Sequence, residues 1–186
     1  MFLDTAKETR QYHELTKIII KKSFEIIQKT DAVFSINISI LDIIDKEITT
    51  FIYQSMDKYN VGGKLIFEIL ETEDIKDVDA LLEFITNIRK YGAKIAIDDF
   101  GSGYSNFTYF SMMKPDFLKI DGSLIKDINN NSTNYYIVEA IVKFAKSLNI
   151  KTVAEFVSTK EIYKTLLTLN IDYMQGYYFS EPKETL

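Results

Sequence analysis

The chain has 186 residues, 46% of them hydrophobic and 26% charged, with a formal net charge of −5. That balance is globular and excludes wholesale disorder, and an acidic surplus without a basic cluster argues against bulk nucleic-acid binding. There is no cysteine for disulfide or thiolate chemistry, no apolar run near the ~18 residues of a membrane span, and no secretory layout in the opening residues, so a cytoplasmic setting is the expectation.

Hydrophobic spacing alternates between two kinds of segment. Tyr12, Leu15, Ile18, Ile19 and Ile26 recur at helical intervals and predict a first helix. A short β-branched run at 32–37 follows, with the length of a buried strand. Ile44, Ile48, Phe51 and Ile52 then predict a helix ending before Gly62-Gly63, and 64–69 the next strand. The pattern repeats through a helix from Ile75 to Ile88 and strands at 93–98 and 116–121, the latter after Pro115. A helix over Ile137–Leu148, a strand at 150–155, a helix over Ile162–Leu169 and a strand at 172–178 complete it. Such alternation predicts one α/β domain over 1–186, built on a parallel sheet.

The strands end alike. Each apolar run stops on a polar or charged residue: Asn37, Glu68, Asp98-Asp99, Lys119 with Asp121, Glu155 and Gln175. In a parallel sheet all C-terminal strand ends share one face, which gathers these groups. Converging carboxylates repel and push one another's pKa upward, and a divalent cation is the simplest remedy. Oxygen ligands suit Mg²⁺ or Mn²⁺, so metal-assisted chemistry is expected at this end.

Several strings here resemble the EAL domain family, the cyclic di-GMP phosphodiesterases. Asp98-Asp99-Phe100-Gly101-Ser102-Gly103-Tyr104-Ser105 is similar to the family's DDFGTGYS, with Ser for Thr. Ile36-Asn37-Ile38-Ser39 resembles VNLS, and Phe67-Glu68-Ile69-Leu70-Glu71 resembles LEITE. Leu118-Lys119-Ile120-Asp121 matches LKID, Val153-Ala154-Glu155 opens VAEGVE, and the stretch from Gln175 to Ser180 is similar to QGYLFS. The resemblance implies a TIM-type (β/α) barrel that hydrolyses cyclic di-GMP to linear pGpG with two Mg²⁺ or Mn²⁺ ions. Asn37, Glu68 and Asp98 would hold one ion, and Asp98, Asp99 and Glu155 a second. Lys119 would sit by the attacking water and the phosphate, with Glu155 as general base. Asp121 would act behind the ligands near substrate, and Gln175 would position a guanine. Gly101, Ser102 and Gly103 would form a flexible loop braced by Glu71. A homodimer and further sensor or cyclase-like domains upstream are both open on the same analogy.

The sequence also departs from the pattern. A complete eight-stranded barrel takes about 250 residues, and six strand-helix units are recognisable here. The expectation is therefore a barrel lacking its first two strands, including the one that carries the Glu-Ala-Leu segment, with the first and last strands as edges. Phe156 replaces the glycine and Ser158 the second Glu of VAEGVE, and Glu181 stands where a basic residue is common. Ser158 with Glu161 fits a helix capping box. Two functional readings follow: a metal-dependent phosphodiesterase, or a catalytically silent EAL-like barrel that senses cyclic di-GMP or binds a protein.

Overall fold

A computed structural model describes residues 11–71, 75, 77–102 and 107–183. Six strands are present among them: β1 (Phe34–Asn37), β2 (Leu65–Leu70), β3 (Lys94–Phe100), β4 (Phe117–Ile120), β5 (Lys151–Ala154) and β6 (Tyr173–Met174). Eight helices accompany them: α1 (Gln11–Ile27), α2 (Ile40–Ile44), α3 (Lys46–Tyr59), α4 (Val78–Lys90), α5 (Phe107–Met113), α6 (Gly122–Lys126), α7 (Ser132–Ser147) and α8 (Lys160–Thr168). The strands follow sequence order in the sheet, with β1 and β6 outermost, as the count of strand-helix units anticipates. The pairs β1–β2, β3–β4, β4–β5 and β5–β6 are parallel. Parallel neighbours joined through helices are the repeating unit of a (β/α) barrel, here incomplete.

The chain forms two compact units, one of residues up to Ile69 with Glu73–Ile95, the other of Leu70–Thr72 with residues from Ala96 onward. In the first unit, α1 packs on α3. Tyr12, Ile20, Phe24 and Ile27 form the buried face of α1, spaced so that they stack on one side. Ile18, Ile19 and Ile26, expected in that face, are instead 45–49% exposed. The misreading has a simple cause: Ile18-Ile19-Ile20 is apolar around most of a turn, so spacing alone cannot choose the buried side. The end of β1 is fixed by a polar knot. Ser39 caps α2 reciprocally with Asp42, which also accepts from Tyr12 Oη (2.9 Å) and Thr16 Oγ1 (3.1 Å). Asp42 is buried, and these donors satisfy it.

In the second unit, β3 continues to Phe100 instead of stopping at Asp98, and its register against β4 shifts between Ile97 and Phe100. Strand β6 is much shorter than the predicted 172–178. Gly176 has φ +148°, and a Cβ there would lie 2.4 Å from the backbone N and O of Val157. The chain must turn at that glycine, which ends the strand. The cap of α8 is Thr159, whose side chain accepts from Ile162 N–H (3.2 Å), and not Ser158 as the sequence suggests. Ser158 lies one residue too early to reach the third helical amide.

Candidate metal and phosphate site

In the second unit the acidic cluster is built by a bulge. Along a regular strand, successive side chains face opposite sides, so Asp98 and Asp99 could not serve one site. The register shift in β3 and a left-handed backbone at Asp99 (φ +55°) remove that constraint. Asp98, Asp99 and Glu155 thereby each offer an oxygen within 4.8 Å of the others. The sequence names these three acids; what it does not show is the bulge that lets two consecutive aspartates face one place.

Lys119 enters the cluster from β4. Leu118 and Ile120 face the other side of the strand and are fully buried, which leaves Lys119 directed at the acids. Its ammonium lies 2.7 Å from Asp98 Oδ1 and 3.0 Å from Glu155 Oε1, and it is itself only 6% exposed. Glu155 follows β5 directly, and Gln175 follows β6 on the neighbouring strand. Gln175 Nε2 donates to Glu155 Oε1 (2.6 Å), while the two chain segments exchange Gln175 N–H to Ala154 O (2.9 Å) and Val157 N–H to Gln175 O (3.0 Å). One Glu155 oxygen is thus held by two donors.

Three carboxylates around one ammonium leave a surplus of negative charge in a largely buried place. Burial raises the pKa of Asp99, and the neighbouring Asp98 and Asp121 charges add to it, against a lowering by Lys119. Burial also raises Glu155, opposed by its bond to Lys119. The surplus and the all-oxygen donor set fit a hard divalent cation.

Asp121 caps α6, accepting from Ser123 N–H (2.9 Å) and from the Ser123 hydroxyl, and its carboxylate interacts with that of Asp99. Glu71 Oε2 accepts from Gly101 N–H (2.9 Å), and Glu71 N–H donates to Asp98 O (3.0 Å). The other Glu71 oxygen, Oε1, is buried without a hydrogen-bond partner among the described residues. Ser102 is exposed, with its N–H on Asp99 O (3.2 Å), whereas Gly103 lies outside the described residues. In the first unit, Asn37 and Glu68 are register partners at the ends of β1 and β2, so they stand side by side. Glu68 is buried and Asn37 exposed.

The EAL domain profile matches residues 1–182. The chain belongs to the EAL domain family. Among curated relatives of this EAL chain, cyclic di-GMP phosphodiesterase PdeA of Borreliella burgdorferi is 33% identical over 176 residues, which covers 91% of the chain and 26% of that protein. The EAL chain therefore spans about a quarter of the relative's length. A solved structure described as the PaMucR phosphodiesterase in complex with c-di-GMP superposes with a TM-score of 0.88 at 27% identity, covering 97% of the chain and 76% of that structure. Klebsiella pneumoniae BlrP1, in a manganese and cyclic-diGMP complex, gives 0.83 at 27% identity, covering 94% and 46%.

Proposed function

We propose that this EAL domain is a metal-dependent phosphodiesterase that hydrolyses cyclic di-GMP to linear pGpG. The observation that carries the reading is the Asp98, Asp99 and Glu155 cluster with Lys119 buried inside it. The names of the relatives and the dinucleotide complexes of similar structures support the substrate. Asp98, Asp99 and Glu155 would hold Mg²⁺ or Mn²⁺, and Asn37 and Glu68 are further ligand candidates from the family pattern, for two ions in all. A bound divalent cation supplies polarisation of a phosphoryl oxygen and a water acidic enough to ionise near neutral pH.

The chain's own groups do the remainder. In the reaction water adds to phosphorus, the bond from phosphorus to one ribose 3′-oxygen breaks, and that oxygen leaves with a proton. Lys119 donates toward the phosphoryl oxygens as their charge grows, inside a low-dielectric site where such a bond counts for more than in water. Glu155, raised by burial, accepts the proton of the attacking water, and Gln175 keeps its carboxylate in one orientation. Asp121 anchors the first turn after β4 beside Asp99. Glu71 ties the start of the 101–103 loop to the strand carrying Asp98. Residues 1–186 acting as one domain, a homodimeric state and a cytoplasmic location belong to the same reading; no helix among the described residues is long and apolar enough to cross a membrane.

Equimolar protein and cyclic di-GMP, incubated with Mn²⁺ and separated chromatographically, test the proposal. Linear pGpG supports it. Cyclic di-GMP that is bound yet recovered intact replaces it with the silent sensor.

A further inference from the structure

Phe156 carries two features that cost stability. Its φ is +52°, in the left-handed region that a side chain with a Cβ resists, and its side chain is 53% exposed. Both fall on the residue directly after Glu155. Glycine would relieve the first and a polar residue the second, so neither backbone nor core requires phenylalanine here.

The ring is nevertheless seated. It lies over Gly122, where a Cβ would come within 2.1 Å of the ring Cδ2 and 2.7 Å of Cγ. Lys126 Nζ stands 4.2 Å from the ring centroid, one turn further along α6. Gly122 opens α6 immediately after Asp121, so the seat belongs to the same strand end as Lys119. The absence of a side chain at 122 and a cation over the ring together hold an aromatic plane on the residue next to Glu155, against the turn that follows β4. Tyr178 and Phe179, also exposed, pack with Tyr163 and with each other.

Resting on the proposed phosphodiesterase reading, we propose that Phe156 is a substrate-binding residue that stacks on a purine base of the cyclic dinucleotide. A phosphate held at the acid cluster carries a nucleoside on each side. An aromatic plane on the residue next to Glu155 supplies the apolar face that a base otherwise finds only by stacking on another base. Lys126 acts through the ring, by setting its position.

The test is calorimetric titration of cyclic di-GMP into the full chain with Ca²⁺, comparing wild type with Phe156→Gly, Phe156→Leu and Phe156→Tyr. Removing a stacking ring weakens binding about 5- to 150-fold, so the Gly and Leu variants should lose that much while Tyr stays within about twofold. Thermal unfolding of Phe156→Gly should occur at or above the wild-type temperature, which separates lost stacking from lost fold. Gly and Leu variants that bind as tightly as wild type overturn the stacking role and leave the phosphodiesterase reading standing. A wild-type chain that binds no cyclic di-GMP overturns both.

Discussion

Replacing Lys119 by Met should expose the charge imbalance of the acid cluster. The side chain keeps its unbranched apolar stem and loses the charged tip, leaving Asp98 and Glu155 without the ammonium now 2.7 and 3.0 Å away. Both acids and the lysine are under 10% exposed, so water can compensate little. Removing one partner from a buried ion pair costs about 3–5 kcal/mol. For a chain of this size each kcal/mol lowers Tm by about 2–4 °C, which gives a drop of about 6–20 °C. Far-UV circular dichroism during heating, in chelator, measures it. Mn²⁺ should then restore stability more in Lys119→Met than in wild type, because the cation takes over the neutralising role at a more negative cluster. At a hundredfold excess over Kd, metal binding alone stabilises by about 2.7 kcal/mol. A variant that melts within about 2 °C of wild type in chelator, or that gains no more from Mn²⁺, would refute this account of the cluster.

Glu155→Gln should weaken Mn²⁺ binding by at least about tenfold in a calorimetric titration without nucleotide, since even groups behind the ligands are worth that much; unchanged affinity removes Glu155 from the ligand set. Asp172, at the opposite end of β5, gives a pH test. Burial pushes its pKa up, but bonds from Lys151 and from Thr152 N–H and Oγ1 outweigh this and hold it below the ordinary value. A depressed carboxylate stabilises the fold above its unfolded pKa, and that contribution is lost as pH falls through the depressed value. Asp172→Asn should therefore cost up to about 1 kcal/mol near neutral pH, with the gap to wild type closing in acid below the usual aspartate range; a gap constant with pH in denaturant titrations would contradict it.

The strands were legible because each is a short β-branched run closed by a polar residue, and those closing residues are what the parallel sheet gathers. Lys119 could be found in the same way, as a charge inside an apolar strand. What was not legible depends on geometry that one residue decides. The bulge at Asp99 aims two consecutive acids into one cluster, and its left-handed backbone has no signal in an Asp-Asp-Phe string. The buried side of α1 is selected by packing on α3, which three consecutive isoleucines cannot reveal. Ser158 and Thr159 are both good caps by type, and only the position of the first helical amides chooses Thr159. The bond from Gln175 to Glu155 is likewise visible only once β6 is known to lie beside β5.

The most direct test of the central claim is the rate at which cyclic di-GMP becomes linear pGpG as Mn²⁺ is titrated, for wild type and for Asp98→Asn. The account predicts product formation by wild type that rises with Mn²⁺, stops in chelator, and falls by two or more orders of magnitude in the variant, on the order of the loss when a key electrostatic group is removed from an active site. Product that forms equally in chelator, or equally with Asp98→Asn, would contradict it.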